Sequence, residues 1–232
     1  MASNFDCIGL RVTNATELED LVFRLAGDAS ERLVTDIGEY AIWRSRTGAE
    51  LWLHLGAAEE GVREIVGMTP FFDGRSNLLL DVDRVIKRPS DNEHEGAFHG
   101  RICASANDGT PLIFDAVDFA AHNTRSLPAR WHIRLTGFAR QMILRTDAER
   151  HRPALTLTDA SADIESMVRV SGQIASCETL INEATGNSFC WLFIDGADAS
   201  LDVVAPLEVL PDAIKLGAMV EADCVLFGRI MD

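Results

Sequence analysis

The chain has 232 residues, of which 47% are apolar and 25% charged, and its 36 acidic side chains outnumber 21 lysines and arginines for a formal net charge of −15. That length and composition exclude a disordered chain and leave room for one large or two modest domains. The negative field repels a nucleic-acid backbone, and no apolar run reaches the roughly 18 residues of a membrane-spanning helix, so neither nucleic acid nor a membrane is expected as a partner.

The first residues, Met-Ala-Ser-Asn-Phe-Asp-Cys, lack the basic and apolar regions of a signal peptide, and a cytoplasmic location is expected. Residues 5–12 read as a first strand. Thr16 and Glu19 fit a capping box, and Leu18, Leu21, Val22 and Leu25 then recur at helical spacing up to a stop at Gly27. Residues 40–44 and 50–55 read as strands joined by the hairpin turn Ser45-Arg46-Thr47-Gly48. Val62, Ile65 and Val66 fall on one face of a short helix expected over residues 57–66, which Gly67 and Pro70 end.

Beyond about residue 70, strand-like runs dominate, at 77–87, 97–104, 111–119, 131–144, 167–177, 188–194, 200–204 and 218–230. Such short, punctuated strands point to a barrel or sandwich. Residues 206–216 offer a helical turn or two, and the polar, Ala-rich residues 145–163 read as a connection. Two hairpins look alike. Residues 80–86 run into Asn92-Glu93-His94-Glu95-Gly96-Ala97-Phe98, and residues 170–174 run into Asn182-Glu183-Ala184-Thr185-Gly186-Asn187-Ser188-Phe189. Either chance or a duplicated unit produces that likeness.

The expected fold class is therefore α+β: an N-terminal βαβββ-like module over residues 1–66, then a predominantly antiparallel β region, barrel or sandwich, over residues 67–232. The five cysteines, Cys7, Cys103, Cys177, Cys190 and Cys224, form no Cys-x-x-Cys motif and read as buried reduced thiols. The arginines of residues 125–152 are spread singly, as expected of strand residues that pair with carboxylates.

The opening segment, with Phe5-Asp6-Cys7-Ile8-Gly9-Leu10-Arg11-Val12-Thr13, Leu18 to Gly27, and Trp43…Gly48-Ala49-Glu50-Leu51-Trp52, resembles one module of the vicinal oxygen chelate family of glyoxalase and bleomycin-resistance folds. The likeness covers residues 5–55. It implies a metal-ligand position, often His, in the first strand, filled here by Cys7, and a Glu position on the last strand, filled by Trp52, or by Glu50 if the register slides. Residues 167–232 are similar in outline to a small barrel of the oligonucleotide/oligosaccharide-binding kind.

Phosphate-loop, His-Glu-x-x-His, Gly-x-Ser-x-Gly and dinucleotide signatures are absent. His94 and His99 flank an acidic turn, and Asp81 and Asp83 share a strand face; both sets read as solvated. Strand alternation puts Glu50, Trp52 and His54 on one face, where Trp52 and His54 would line a ligand cavity beside Tyr40 and Trp43. The expected function is a non-catalytic small-molecule-binding or protein-interaction protein, with Tyr40, Trp43, Trp52 and His54 as ligand-binding residues, no metal or cofactor, and self-association into a homo-oligomer. The alternative is a metal-dependent enzyme of the vicinal oxygen chelate type acting on a small molecule.

Overall fold

A computed structural model describes residues 3–58, 63–103, 109–145, 154–157, 166–196, 199–212 and 214–231. The protein is mainly β, which corrects the α+β expectation. Its N-terminal part is not βαβββ. In place of a first strand, Asp6–Ile8 forms a single 3-10 turn closed by Gly9 at φ 73°. The apolar run that suggests a strand is a plug: Cys7, Ile8 and Leu10 are buried together. Its carbonyls are met by side chains instead of a neighbouring strand. Asn182 donates to Ile8 O at 2.8 Å, Thr185 to Gly9 O at 2.6 Å and Asn187 to Arg11 O at 3.1 Å. A short apolar run alone does not distinguish these outcomes.

The helix α1, Ala15–Gly27, follows. Its capping box lies earlier than Thr16 and Glu19. Asn14 accepts the Glu17 N–H, and the Glu17 carboxylate accepts from the Thr13 N–H and hydroxyl. Glu17 thereby has its carboxyl held below the usual range, chiefly by the Thr13 backbone. Leu21, Val22 and Leu25 enter the core as expected.

Next comes an antiparallel meander in the order β1 (Glu31–Thr35), β2 (Gly38–Arg44), β3 (Ala49–Leu55) and β4 (Ile65–Phe72). Part of the helix expected at 57–66 lies outside the described residues, and its end is β4. Gly67 and Pro70 do not end a helix; they sit inside this strand. Pro70 is tolerated because β4 is an edge of the sheet, where a missing N–H breaks no ladder.

A mixed sheet contains the remaining strands: β5 (Leu78–Ile86), β6 (Ala97–Ile102), β7 (Pro111–Ala116), β8 (Ala129–Arg145), β9 (Ala154–Leu157), β10 (Met167–Ile181), β11 (Ser188–Asp195), β12 (Ser200–Pro206) and β13 (Met219–Met231). The pairings close two rings. One runs β5-β6-β7-β13-β8 and returns to β5. The other runs β10-β11-β12-β8-β13 and returns to β10. Each ring has one parallel pair, β7 with β13 and β12 with β8. The rings share the β8–β13 pair, in which β13 is matched to β8 from Met219 to Met231. Residues 167–231 thus supply four strands of the second ring and borrow β8 for the fifth.

The two rings have the same strand order, with β8 and β13 exchanging places, and the two similar hairpins, β5–β6 and β10–β11, occupy matching positions in it. Asn92 and Asn182 do the same work at their turns. Each accepts the backbone N–H two residues on, at 2.8 Å and 3.0 Å, and each donates to a carbonyl of the N-terminal part, Val66 O and Ile8 O. Gly228 beside Ala116 and Gly137 beside Val203 also correspond. A Cβ on Gly228 would lie 2.3 Å from the Phe114 ring, whereas one on Gly137 would lie 3.1 Å from Cys224. Gly228→Ala is expected to cost about 1–3 kcal/mol through overpacking, and Gly137→Ala less, as read from urea midpoints.

One core fills the rings, with Phe98, Phe114, Leu135, Leu192, Val203 and Leu226 among its members. A second lies between the meander and the rings, where Phe72 packs on Phe189 and Trp191. Among the described residues of the 206–216 stretch, the helical content is a 3-10 turn at Leu207–Val209. The expected connection at 145–163 falls mostly outside the described residues, save Arg145 in β8 and Ala154–Leu157 in β9. Cys7, Cys190 and Cys224 are buried, and Cys103 and Cys177 are half-buried. Among the described residues, no helix is long and apolar enough to cross a membrane.

Candidate functional site

The β2–β3 register sets Tyr40 opposite His54 and Ile42 opposite Trp52. Strand alternation then gives the meander two faces. Glu50, Trp52 and His54 share one face, as expected, and Tyr40 joins them there, toward the first ring. Trp43 pairs with Leu51 and falls on the other face, the one that carries Phe72 toward Trp191. Three of the four expected site residues are therefore brought together and Trp43 is not, and of the four only Trp52 is among the walls of the cavity that opens beside them.

Tyr40 is the centre of this group. Its ring lies 5.7 Å from Trp52, 5.4 Å from His54 and 5.2 Å from His94, all edge-on. Its hydroxyl donates to His94 O at 2.7 Å and accepts the Ala120 N–H at 2.9 Å. Burial pushes this hydroxyl above its usual range. His54 stacks on His94 at 5.5 Å and contacts the Thr69 hydroxyl at 3.1 Å. Burial lowers the His54 pKa to about 3, so its ring is neutral near pH 7.

Glu50 is buried beside them. Arg44 Nε donates to it at 2.5 Å and Trp52 Nε1 at 2.8 Å, and Arg229 lies 3.6 Å away. Burial still raises the pKa of its carboxyl, against the pull of Arg44.

A cavity of about 440 Å³ opens between this face and a short helix, α2, Phe119–His122. Trp52, Asp118, Ala121, His122, Arg125 and Arg229 are among its walls. Asp118 and His122 are the residues that sequence reading misses. The run 111–119 reads as one strand, whereas β7 ends at Ala116 and the chain turns into α2. The available signal is the spacing of four in Asp118-Phe119-Ala120-Ala121-His122, which places both side chains on one face of a helical turn.

Asp118 and His122 are 3% and 5% exposed. Asp118 Oδ2 accepts the Ile230 N–H at 3.0 Å and lies 3.2 Å from His122 Nε2. Asp118 Oδ1 and His122 Nδ1 have no hydrogen-bond partner among the described residues. Buried polar atoms are normally satisfied, and these two are among several in the described residues that are not.

Other clefts are more settled. One of about 220 Å³ includes Asp115 and Arg88, but Asp115 is already held by Arg88 at 2.6 Å and by the Ser166 hydroxyl at 2.7 Å. A hollow of about 460 Å³ adjoins the Trp52-lined cavity across α2, shares Asp36, Ala120 and Thr124 with it, and adds Ile37, Val85 and Phe119. The remaining sequence candidates lie apart. His99 pairs with Asp83 at 2.6 Å and Asp81 with Arg130 at 2.7 Å. Cys7 Sγ lies 3.6 Å from Ala139 O, and burial pushes its thiol up to about 12. Among the described residues, no three His, Cys, Asp or Glu side chains gather as a metal site.

No family model, curated protein or solved structure matches this chain.

Proposed function

We propose that the chain is a non-catalytic small-molecule-binding protein whose ligand occupies the cavity between the meander and α2. The observation that carries this reading is a cavity of ligand size whose walls include the buried Asp118–His122 pair, each residue with one polar atom that has no partner among the described residues. The mixture of an apolar wall at Trp52 with a few placed polar groups suits recognition. The nearby ionised groups are engaged with one another, Glu50 with Arg44 and Arg229, which suits holding a ligand more than turning one over. The strand order of each ring, with its parallel closing pair, supports reading both rings as barrels of the oligonucleotide/oligosaccharide-binding kind. That is an architectural likeness and carries no ligand with it.

The test is a thermal-shift screen with small anionic, cationic, neutral polar and apolar compounds, repeated on Ala121→Phe. Ala121 lines the cavity and is partly exposed, so the added ring fills ligand space. The variant is expected to melt within about 3 °C of the native chain and to lose the ligand-induced shift. A shift that persists in Ala121→Phe places the ligand elsewhere and contradicts the proposal.

A further inference from the structure

We propose that Cys177 and Cys190 form a reversible intramolecular disulfide, a redox site that a hydroperoxide oxidises and a dithiol reduces. The site lies in the second ring, and the inference goes beyond the cavity reading and does not depend on it.

The β10–β11 register makes the pair. Cys177 stands opposite Leu192 and Thr179 opposite Cys190, so the two cysteines are diagonal neighbours across one pair of strands. Residues two apart on a strand share a face, and both side chains therefore point to the same side of the sheet, where they pack in the core of the rings. Their sulfurs lie 3.8 Å apart, already in van der Waals contact. A disulfide brings them to about 2.05 Å, and a diagonal pair in a regular sheet closes that far only with some movement of the backbone. The strand has that latitude, because its register shifts between Ile174 and Ser176, immediately before Cys177.

The two thiols differ in access. Cys177 is half-buried, whereas Cys190 is 1% exposed. Burial, with Cys177 beside it, pushes the Cys190 thiol up to about 12. Cys177 is thus the sulfur that meets the oxidant, and Cys190 is the resolving sulfur. The Cys177 thiolate attacks one oxygen of the hydroperoxide. An S–O bond forms, the O–O bond breaks, and the departing alkoxide takes up the proton that the thiol released. The Cys190 sulfur then attacks the sulfenic sulfur. An S–S bond forms, the S–O bond breaks, and the hydroxide leaves with the Cys190 proton as water. Two thiols and one hydroperoxide become a disulfide, an alcohol and water, and a dithiol reverses the change by exchange, becoming a disulfide itself. The other cysteines are placed differently. Cys7 and Cys224 are fully buried, and Cys103 has Asp81 as its hydrogen-bonding neighbour.

The experiment treats the reduced, folded full chain with hydrogen peroxide, alkylates it after unfolding, and maps its peptides by mass spectrometry without reduction. The alkylatable thiols are expected to fall from five to three. A peptide pair linking Cys177 to Cys190 should appear, and a dithiol should return it to two thiols. Cys190→Ala is expected to abolish the link and leave Cys177 as a sulfenic or sulfinic acid. If that variant fails to fold, the map of the native chain still decides.

Cys177 carried to a sulfinic or sulfonic acid in the native chain, with Cys190 still a thiol, overturns the inference. So does a link from Cys177 to another cysteine or to a second chain, an unoxidised Cys177 in folded Cys190→Ala, or no loss of thiols at all.

Discussion

Asp202→Ala is expected to lower the free energy of unfolding by about 4 kcal/mol, among the largest single-residue effects in the chain. Asp202 lies on β12 and is fully buried. One of its oxygens accepts the N–H groups of Arg75 and Ser76, each at 2.6 Å, and the other accepts Trp191 Nε1 at 2.6 Å. Alanine would leave these donors without a partner. The consequence is more than local, because Arg75 and Ser76 belong to the segment that links the meander to β5. The same seam is held by Thr136, whose hydroxyl donates to Phe72 O at 2.8 Å, and by Ser76, whose hydroxyl donates to Leu135 O. Asp202→Asn keeps one acceptor oxygen and should cost roughly half as much. Denaturant unfolding measures both, and a loss below about 1 kcal/mol for the alanine variant contradicts this role.

The second large effect is with pH. His54 has a native pKa of about 3, against an ordinary value of 6.5, because burial disfavours its charged form. Between those values the unfolded chain binds a proton that the native chain does not. The contribution is therefore complete above pH 6.5 and is lost progressively as the pH falls toward 3, for a total of about 5 kcal/mol. His94 is shifted the same way, mainly by burial. Glu50 works in the opposite sense, since its native carboxyl holds its proton more tightly than an exposed one. The comparison that isolates His54 is therefore the native chain against His54→Gln. Urea unfolding from about pH 7 to 4 should show a stability slope that is shallower in the variant by up to one proton. Identical slopes would mean that His54 titrates normally in the folded chain.

How much of this could be read beforehand depends on the range of the interactions. The strands of residues 77–144 and 167–230 are legible because alternation and turn residues are local. Ring closure is not, since β8 and β13 meet across more than seventy positions and nothing local in either strand names its partner. The plug at Cys7 to Leu10 reads as a strand because burial on all sides looks the same in sequence whichever backbone produces it. β4 reads as helix followed by breakers because only its place at a sheet edge makes Pro70 acceptable. At the site, the shared face of Glu50, Trp52 and His54 is legible from β-strand parity, whereas Tyr40 joins it only through the β2–β3 register. The same parity, counted from Tyr40, assigns Trp43 to the opposite face. The Asp118–His122 pair hides at the junction of a strand and a one-turn helix, where neither period lasts long enough to register.

The most direct measurement is a crystal structure of the full chain soaked with a cocktail of small polar compounds. Ordered ligand density between Trp52 and α2 is the predicted result. Water alone in that cavity, with ligand density only elsewhere on the molecule, would contradict it.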